Sequence, residues 1–190
     1  MISLADGQRA FPVAASRQRL ILNFVAFQLG WFACVLGAAH GWAWAGTTVA
    51  AVLVTAHVLF ASRPAEELKL VGIALAIGAI WDSALLAFGW IDFTSGFLVH
   101  GLAPHWILAL WALFAMTLNV SLGWLKKRLA IAAVLGAVSG PLAYWGGVRL
   151  GAVTFVNPMF AVIALSIGWA VITPALARLA RRFDGMQAQA

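Results

Sequence analysis

From Leu20 onward, apolar runs about one membrane thickness long alternate with short polar or basic punctuation: residues 20–39, 42–61, 70–90, 104–125, 129–150 and 158–177. A bilayer core takes about 20 apolar residues of helix, so each run is long enough to span. The period-2 alternation of a barrel strand is absent, and a spanning segment must satisfy its own backbone hydrogen bonds, which selects helices. The pattern predicts an all-α polytopic membrane helical bundle of six helices over 20–178, between polar tails at 1–19 and 179–190. The first run has the basic lead and small residues (Gly37, Ala39) of a cleavable signal peptide. Its apolar core is longer than such leaders carry, and it is read as a span.

The twelve Lys and Arg residues set the orientation. Arg9, Arg17 and Arg19 precede the first run, Arg63 and Lys69 separate the second from the third, Lys126, Lys127 and Arg128 follow the fourth, and Arg178, Arg181 and Arg182 follow the sixth. Cationic loops stay cytoplasmic, so both termini are expected inside, with Arg149 the one base at the opposite end. Trp42, Trp44, Trp90 and Trp106 fall at the predicted outer boundaries and Trp124 at an inner one, where indoles anchor among headgroups. Trp31, Trp81, Trp111, Trp145 and Trp169 lie deeper, as packing or as walls of an apolar ligand pocket.

Composition narrows the class. The 190 residues are 64% hydrophobic and 9% charged, with a mean hydropathy of +0.96, which no water-facing surface could carry. The net charge of +6 is explained by topology; no soluble basic face suggests nucleic acid. Cys34 stands alone in an apolar stretch, without a disulfide or metal partner.

Within the runs, Ala132, Gly136 and Gly140 recur every four residues, a smooth stripe for a neighbouring helix, and Gly72/Ala76 and Ala74/Gly78 do the same in the third run. Pro141 cannot donate to the carbonyl of Ala137, so a kink or partial unwinding is expected in mid-span, and Pro174 acts similarly in the sixth run. "IALAIG" from Ile73 and "IALSIG" from Ile163 raise an inverted three-plus-three repeat.

The sharpest chemical feature is Asp82. A lone carboxylate near the bilayer centre costs about 2.5–3.5 kcal/mol, so it should be paired, protonated or hydrated. Arg149, the other exception, is the expected partner, with Tyr144 and His105 completing a candidate intramembrane polar site. The pair is either a lock between helices or part of a proton-transfer site with Asp92 and His100. The His spacing matches no metal motif, and no cofactor is expected. A second polar set, Asn23, Gln28, His57 and Asn119, lies toward the basic end, as interhelical glue or as a pocket for a headgroup or small solute. Phosphate-loop, dinucleotide and serine-hydrolase motifs are absent, so no familiar enzyme class is indicated.

The stretches "NFVAFQLGWFACVLGAA" (Asn23–Ala39), "PHWILALWALFAMTLNVSLGWL" (Pro104–Leu125) and "GPLAYWGGVRLGA" (Gly140–Ala152) resemble a proteobacterial inner-membrane family, domain of unknown function 2878. The resemblance covers nearly the whole chain and implies a bacterial inner-membrane location. It also implies a neighbourhood of cyclopropane-type fatty-acid methyltransferases and flavin oxidoreductases, hence membrane-lipid modification. The expected function is an accessory or lipid-handling component of such a system, with membrane lipids and other inner-membrane or lipid-modifying proteins as partners. A proton-coupled carrier of a small solute, or a purely structural membrane protein, are the alternatives.

Overall fold

The computed structural model describes residues 16–187. The expected N-terminal tail, Arg9 included, lies outside the described residues up to residue 15, as does the chain beyond 187. Six α-helices follow one another: α1 (Arg17–Ala39), α2 (Ala43–Leu59), α3 (Pro64–Ala87), α4 (His105–Leu118), α5 (Leu129–Leu150) and α6 (Pro158–Arg182). Of these, α1, α3, α5 and α6 are long and apolar enough to cross a membrane, while α2 with 17 residues and α4 with 14 are apolar but shorter. Outward faces are apolar, with Ile80 74%, Val134 65% and Ile167 63% exposed, a surface suited to acyl chains rather than water.

The helix ends follow local chemistry. Ser16 caps α1 by accepting from the Arg19 amide, and Asn157 caps α6 by accepting from the Phe160 amide. Helix α3 starts at Pro64, six residues before its expected run, because proline suits the first turn and Glu66 and Glu67 complement its positive end. Helix α4 stops at Leu118, short of the expected residue 125. The chain turns at Asn119 and continues as a 3-10 turn over Gly123–Lys127. Helix α5 runs unbroken through Pro141, so the expected unwinding does not occur, and α6 likewise continues through Pro174.

Glycines set the helix approaches. Ala132, Gly136 and Gly140 are buried, as the stripe predicted, against α6: a Cβ on Gly136 would lie 2.2 Å from the Trp169 carbonyl oxygen, and one on Gly140 2.3 Å from the Trp169 ring. Of the two small-residue pairs in α3, Ala74 and Gly78 are buried, Gly78 against Trp111, whereas Gly72 and Ala76 face outward. The buried stripe of α3 runs from Glu67 through Leu70, Ala74 and Gly78 to Asp82, placing an acid near each end of one helix face. Helix α1 packs along α2 and α5 along α6, with α4 against α1, α2 and α3. An inverted repeat would pair α4 with α5 as α1 pairs with α2, and those two scarcely touch.

Two three-residue strands, β1 (Ile91–Phe93) and β2 (Val153–Phe155), pair antiparallel with Asp92 opposite Thr154. They tie the α3–α4 connection to the α5–α6 connection, helped by a hydrogen bond from the Thr94 hydroxyl to the Gly151 carbonyl, while the Ser95 hydroxyl donates to the Ala38 carbonyl of α1. This is the strand end of the bundle. At the other, basic end the α2–α3 turn, the 3-10 turn and the segment after α6 converge: Arg63 donates its amide to the Gly185 carbonyl, and Lys126 binds Asp184.

Candidate functional site

A cavity of about 540 Å³ lies between α1, α4, α5 and α6, within the size range of small-molecule sites. Its walls are aromatic: Phe24, Phe27 and Trp31 from α1, Trp106, Trp111 and Phe114 from α4, Tyr144 from α5 and Trp169 from α6. Gln28, Ser139 and Thr173 add polarity, and no charged side chain lines it among the described residues. Trp111 and Trp169 stack with ring centroids 4.8 Å apart, fixing two walls together. Helices α1 and α5 approach near the strand end, where a Cβ on Gly146 would meet the Trp31 ring at 3.1 Å. Toward the basic end Phe24 and Leu135 line the cavity yet remain 54% and 41% exposed, so it opens sideways between these helix halves.

Asp82 sits behind this wall, fully buried. The Trp111 indole N–H donates to Asp82 Oδ2 at 2.6 Å, and the Tyr144 hydroxyl hydrogen-bonds Asp82 Oδ1. Both partners also line the cavity, so the acid is joined to it through them. The expected Asp82–Arg149 pair does not form: Arg149 is exposed and has no acidic partner among the described residues. Five residues beyond Tyr144, it is turned about 140° around α5 and cannot share that face.

The other expected members are dispersed. His105 places Nδ1 2.7 Å from the Thr47 hydroxyl and stacks on Trp44 at 4.0 Å, away from Asp82. Asp92 and His100 are exposed in the connection, and Asp92 accepts only from the Phe93 amide among the described residues. Trp106, expected as a boundary anchor, is fully buried and donates to the Ser95 carbonyl at 2.9 Å. Trp145 is 55% exposed on the outward face of α5 and does not line the cavity.

The second polar set divides into three. Gln28 faces the cavity. Asn23 bridges α1 to the end of α4, donating to the Met116 carbonyl at 3.1 Å and accepting from the Ser121 hydroxyl at 2.6 Å. His57 and Asn119 converge instead on Glu67, which is fully buried: His57 Nε2 lies 2.9 Å from Oε2, and Asn119 Nδ2 donates to Oε1 at 2.7 Å. Glu67 Oε1 also accepts from the Gly185 amide at 2.8 Å. Lys126 donates to Asn119 Oδ1 at 2.9 Å and to Asp184 Oδ2 at 2.6 Å. Sequence reasoning missed Glu67, Lys126 and Asp184, which stood among the loop charges. The one signal was Glu67 falling in helical register with Ala74 and Gly78.

The family described as protein of unknown function (DUF2878) matches the chain over residues 20–175, so the chain belongs to that family. No curated protein and no solved structure matches it.

Proposed function

We propose that this member of the DUF2878 family is a bacterial inner-membrane protein that holds the apolar chain of a membrane lipid between α1, α4, α5 and α6, as an accessory component of fatty-acid or phospholipid modification. In this reading the helical domain over 20–178 stands in the membrane with α2 and α4 as additional spans, and the basic end faces the cytoplasm. The aromatic cavity carries the proposal: it is large, uncharged, and open on the side where lipid would be. Inside such a cavity an acyl chain gains no hydrophobic driving force over bulk lipid, so retention rests on shape and aromatic contact.

A proton-coupled carrier draws no support from Asp82, which is buried behind Trp111 and Tyr144. Nor does α5 offer the unwound backbone that a mid-membrane ion site would use.

The test combines native mass spectrometry of the full-length protein with lipid profiling of a deletion strain. Wild-type protein is expected to retain a lipid that Ala143→Trp, which fills the cavity, loses without unfolding. A protein that carries no lipid, together with an unchanged lipid profile under oxidative and cold stress, leaves only a structural role.

A further inference from the structure

We infer that the cavity takes its lipid in one orientation, with an anionic carboxylate or phosphate head at the basic end between Arg17 and Arg128 and the tail reaching Tyr144 and Trp111. This rests on the lipid-chain reading of the cavity and adds the ligand's head chemistry and direction.

Helix periodicity places the two cations. Arg17 precedes Phe24 by seven residues on α1, and Arg128, at the N-terminal cap of α5, precedes Leu135 by seven. Residues seven apart share a helix face, about 10 Å apart along the axis. Phe24 and Leu135 line the sideways opening, so each arginine lies below it on the same helix face. Both arginines are exposed, and the Arg128 guanidinium stands 5.6 Å from the centre of the Trp124 ring, itself exposed as an interfacial anchor would be. Lys127 beside them is exposed as well.

The strand end offers the competing arrangement. Arg149 follows Leu142, another exposed lining residue, by seven positions. There, however, exposed Asp92 offsets the single arginine, and α1 closes on α5 at Gly146. At the basic end the acids Glu67 and Asp184 are buried and engaged by His57, Asn119 and Lys126, and Glu66 is paired with Lys69, so the remaining exposed cations dominate its field. The wedge between α1 and α5 and the charge therefore point the same way. A lipid of the leaflet at the basic end would enter sideways, with its head remaining at the interface.

Full-length protein in detergent is titrated with palmitate, 1-palmitoyl-lysophosphatidate and neutral monopalmitoylglycerol, which separate carboxylate from phosphate and both from an uncharged head. Binding is read as protection of cavity tryptophan emission from an added quencher. At least one anionic ligand is expected to bind about tenfold more tightly than the glycerol, since both arginines attract an anionic head and neither is drawn to an uncharged one. Arg17→Gln with Arg128→Gln should shrink that preference to under about threefold, while Arg149→Gln leaves it intact. Chains brominated near the methyl end should quench Trp106 and Trp111 more than chains brominated near the head. Equal affinity for charged and neutral heads, loss through Arg149→Gln alone, or the reverse quenching order overturns the orientation while leaving chain binding in place. Failure of all three ligands to bind removes the lipid reading and this inference together.

Discussion

Tyr144 on α5 and Asp82 on α3 meet through a hydroxyl–carboxyl hydrogen bond at the back of the cavity, with Trp111 of α4 donating to the second carboxyl oxygen. Three helices are thus joined by one buried polar cluster whose other members are neutral. Removing the hydroxyl with Tyr144→Phe strands one oxygen and should destabilise the protein by about 1–3 kcal/mol. Asp82→Asn keeps the shape, accepts from Trp111 and donates to the Tyr144 oxygen, so it should cost less than about 1 kcal/mol. Asp82→Leu orphans both donors and should be the worst of the three. Thermal unfolding in detergent gives the ranking; Asp82→Asn melting as low as Asp82→Leu would show that the acid, not its hydrogen-bonding capacity, is what these helices need.

Helix spacing makes a second prediction. A Cβ on Gly136 would lie 2.2 Å from a backbone oxygen of α6, which no rotamer change relieves, whereas Gly72 has open space around it. Gly136→Ala should therefore lower stability by about 1–3 kcal/mol through overpacking. Gly72→Ala should raise it by up to about 1 kcal/mol through helix propensity. Paired thermal melts check both signs, and equal melting of the two variants would contradict the close α5–α6 contact.

The helices and the buried stripe on α5 were legible because apolar run length and small-residue spacing are local properties of the chain. What failed was non-local. Asp82 and Arg149 were the two exceptions to the charge pattern, and charge arithmetic joined them; a carboxyl group is equally well served by neutral N–H and O–H donors, which Trp111 and Tyr144 supply. Helix α4 ends early although the apolar run continues, because Asn119 is drawn into contacts with Glu67 and the Phe183 carbonyl from distant elements. Strands β1 and β2 are three residues each, too short for a periodic signal. The aromatic cavity was foreseen only as one use of the deep tryptophans, of which Trp31, Trp111 and Trp169 line it.

Orientation can be read with introduced thiols, because the native Cys34 is fully buried. In a Cys34→Ser background, Val99→Cys lies exposed in the strand-end connection and Lys127→Cys lies exposed at the basic end. If basic segments remain cytoplasmic, an impermeant maleimide should label position 99 in intact cells and position 127 only after permeabilisation. The opposite pattern reverses the proposed topology.

The buried ion pair at the basic end yields the last prediction. Lys126 Nζ meets Asp184 Oδ2 at 2.6 Å with both side chains about nine-tenths buried, whereas Lys69 and Glu66 form a more exposed pair at 2.9 Å. Lys126→Met leaves Asp184 buried without its cation and should cost about 3–5 kcal/mol, while Lys69→Met should cost no more than about 1 kcal/mol. Adding Asp184→Asn to Lys126→Met removes the stranded charge and should recover part of the loss, because the penalty lies in the unpaired ion rather than in the missing contact. The same ion pair fastens Phe183–Gly185 across the end of the bundle, with Arg63, Glu67 and Asn119 binding the segment's backbone. Lys126→Met should therefore also expose the chain after Arg182 to protease, and Lys69→Met should not. Protection of that segment in the Lys126 variant would mean that the backbone hydrogen bonds hold it without the ion pair.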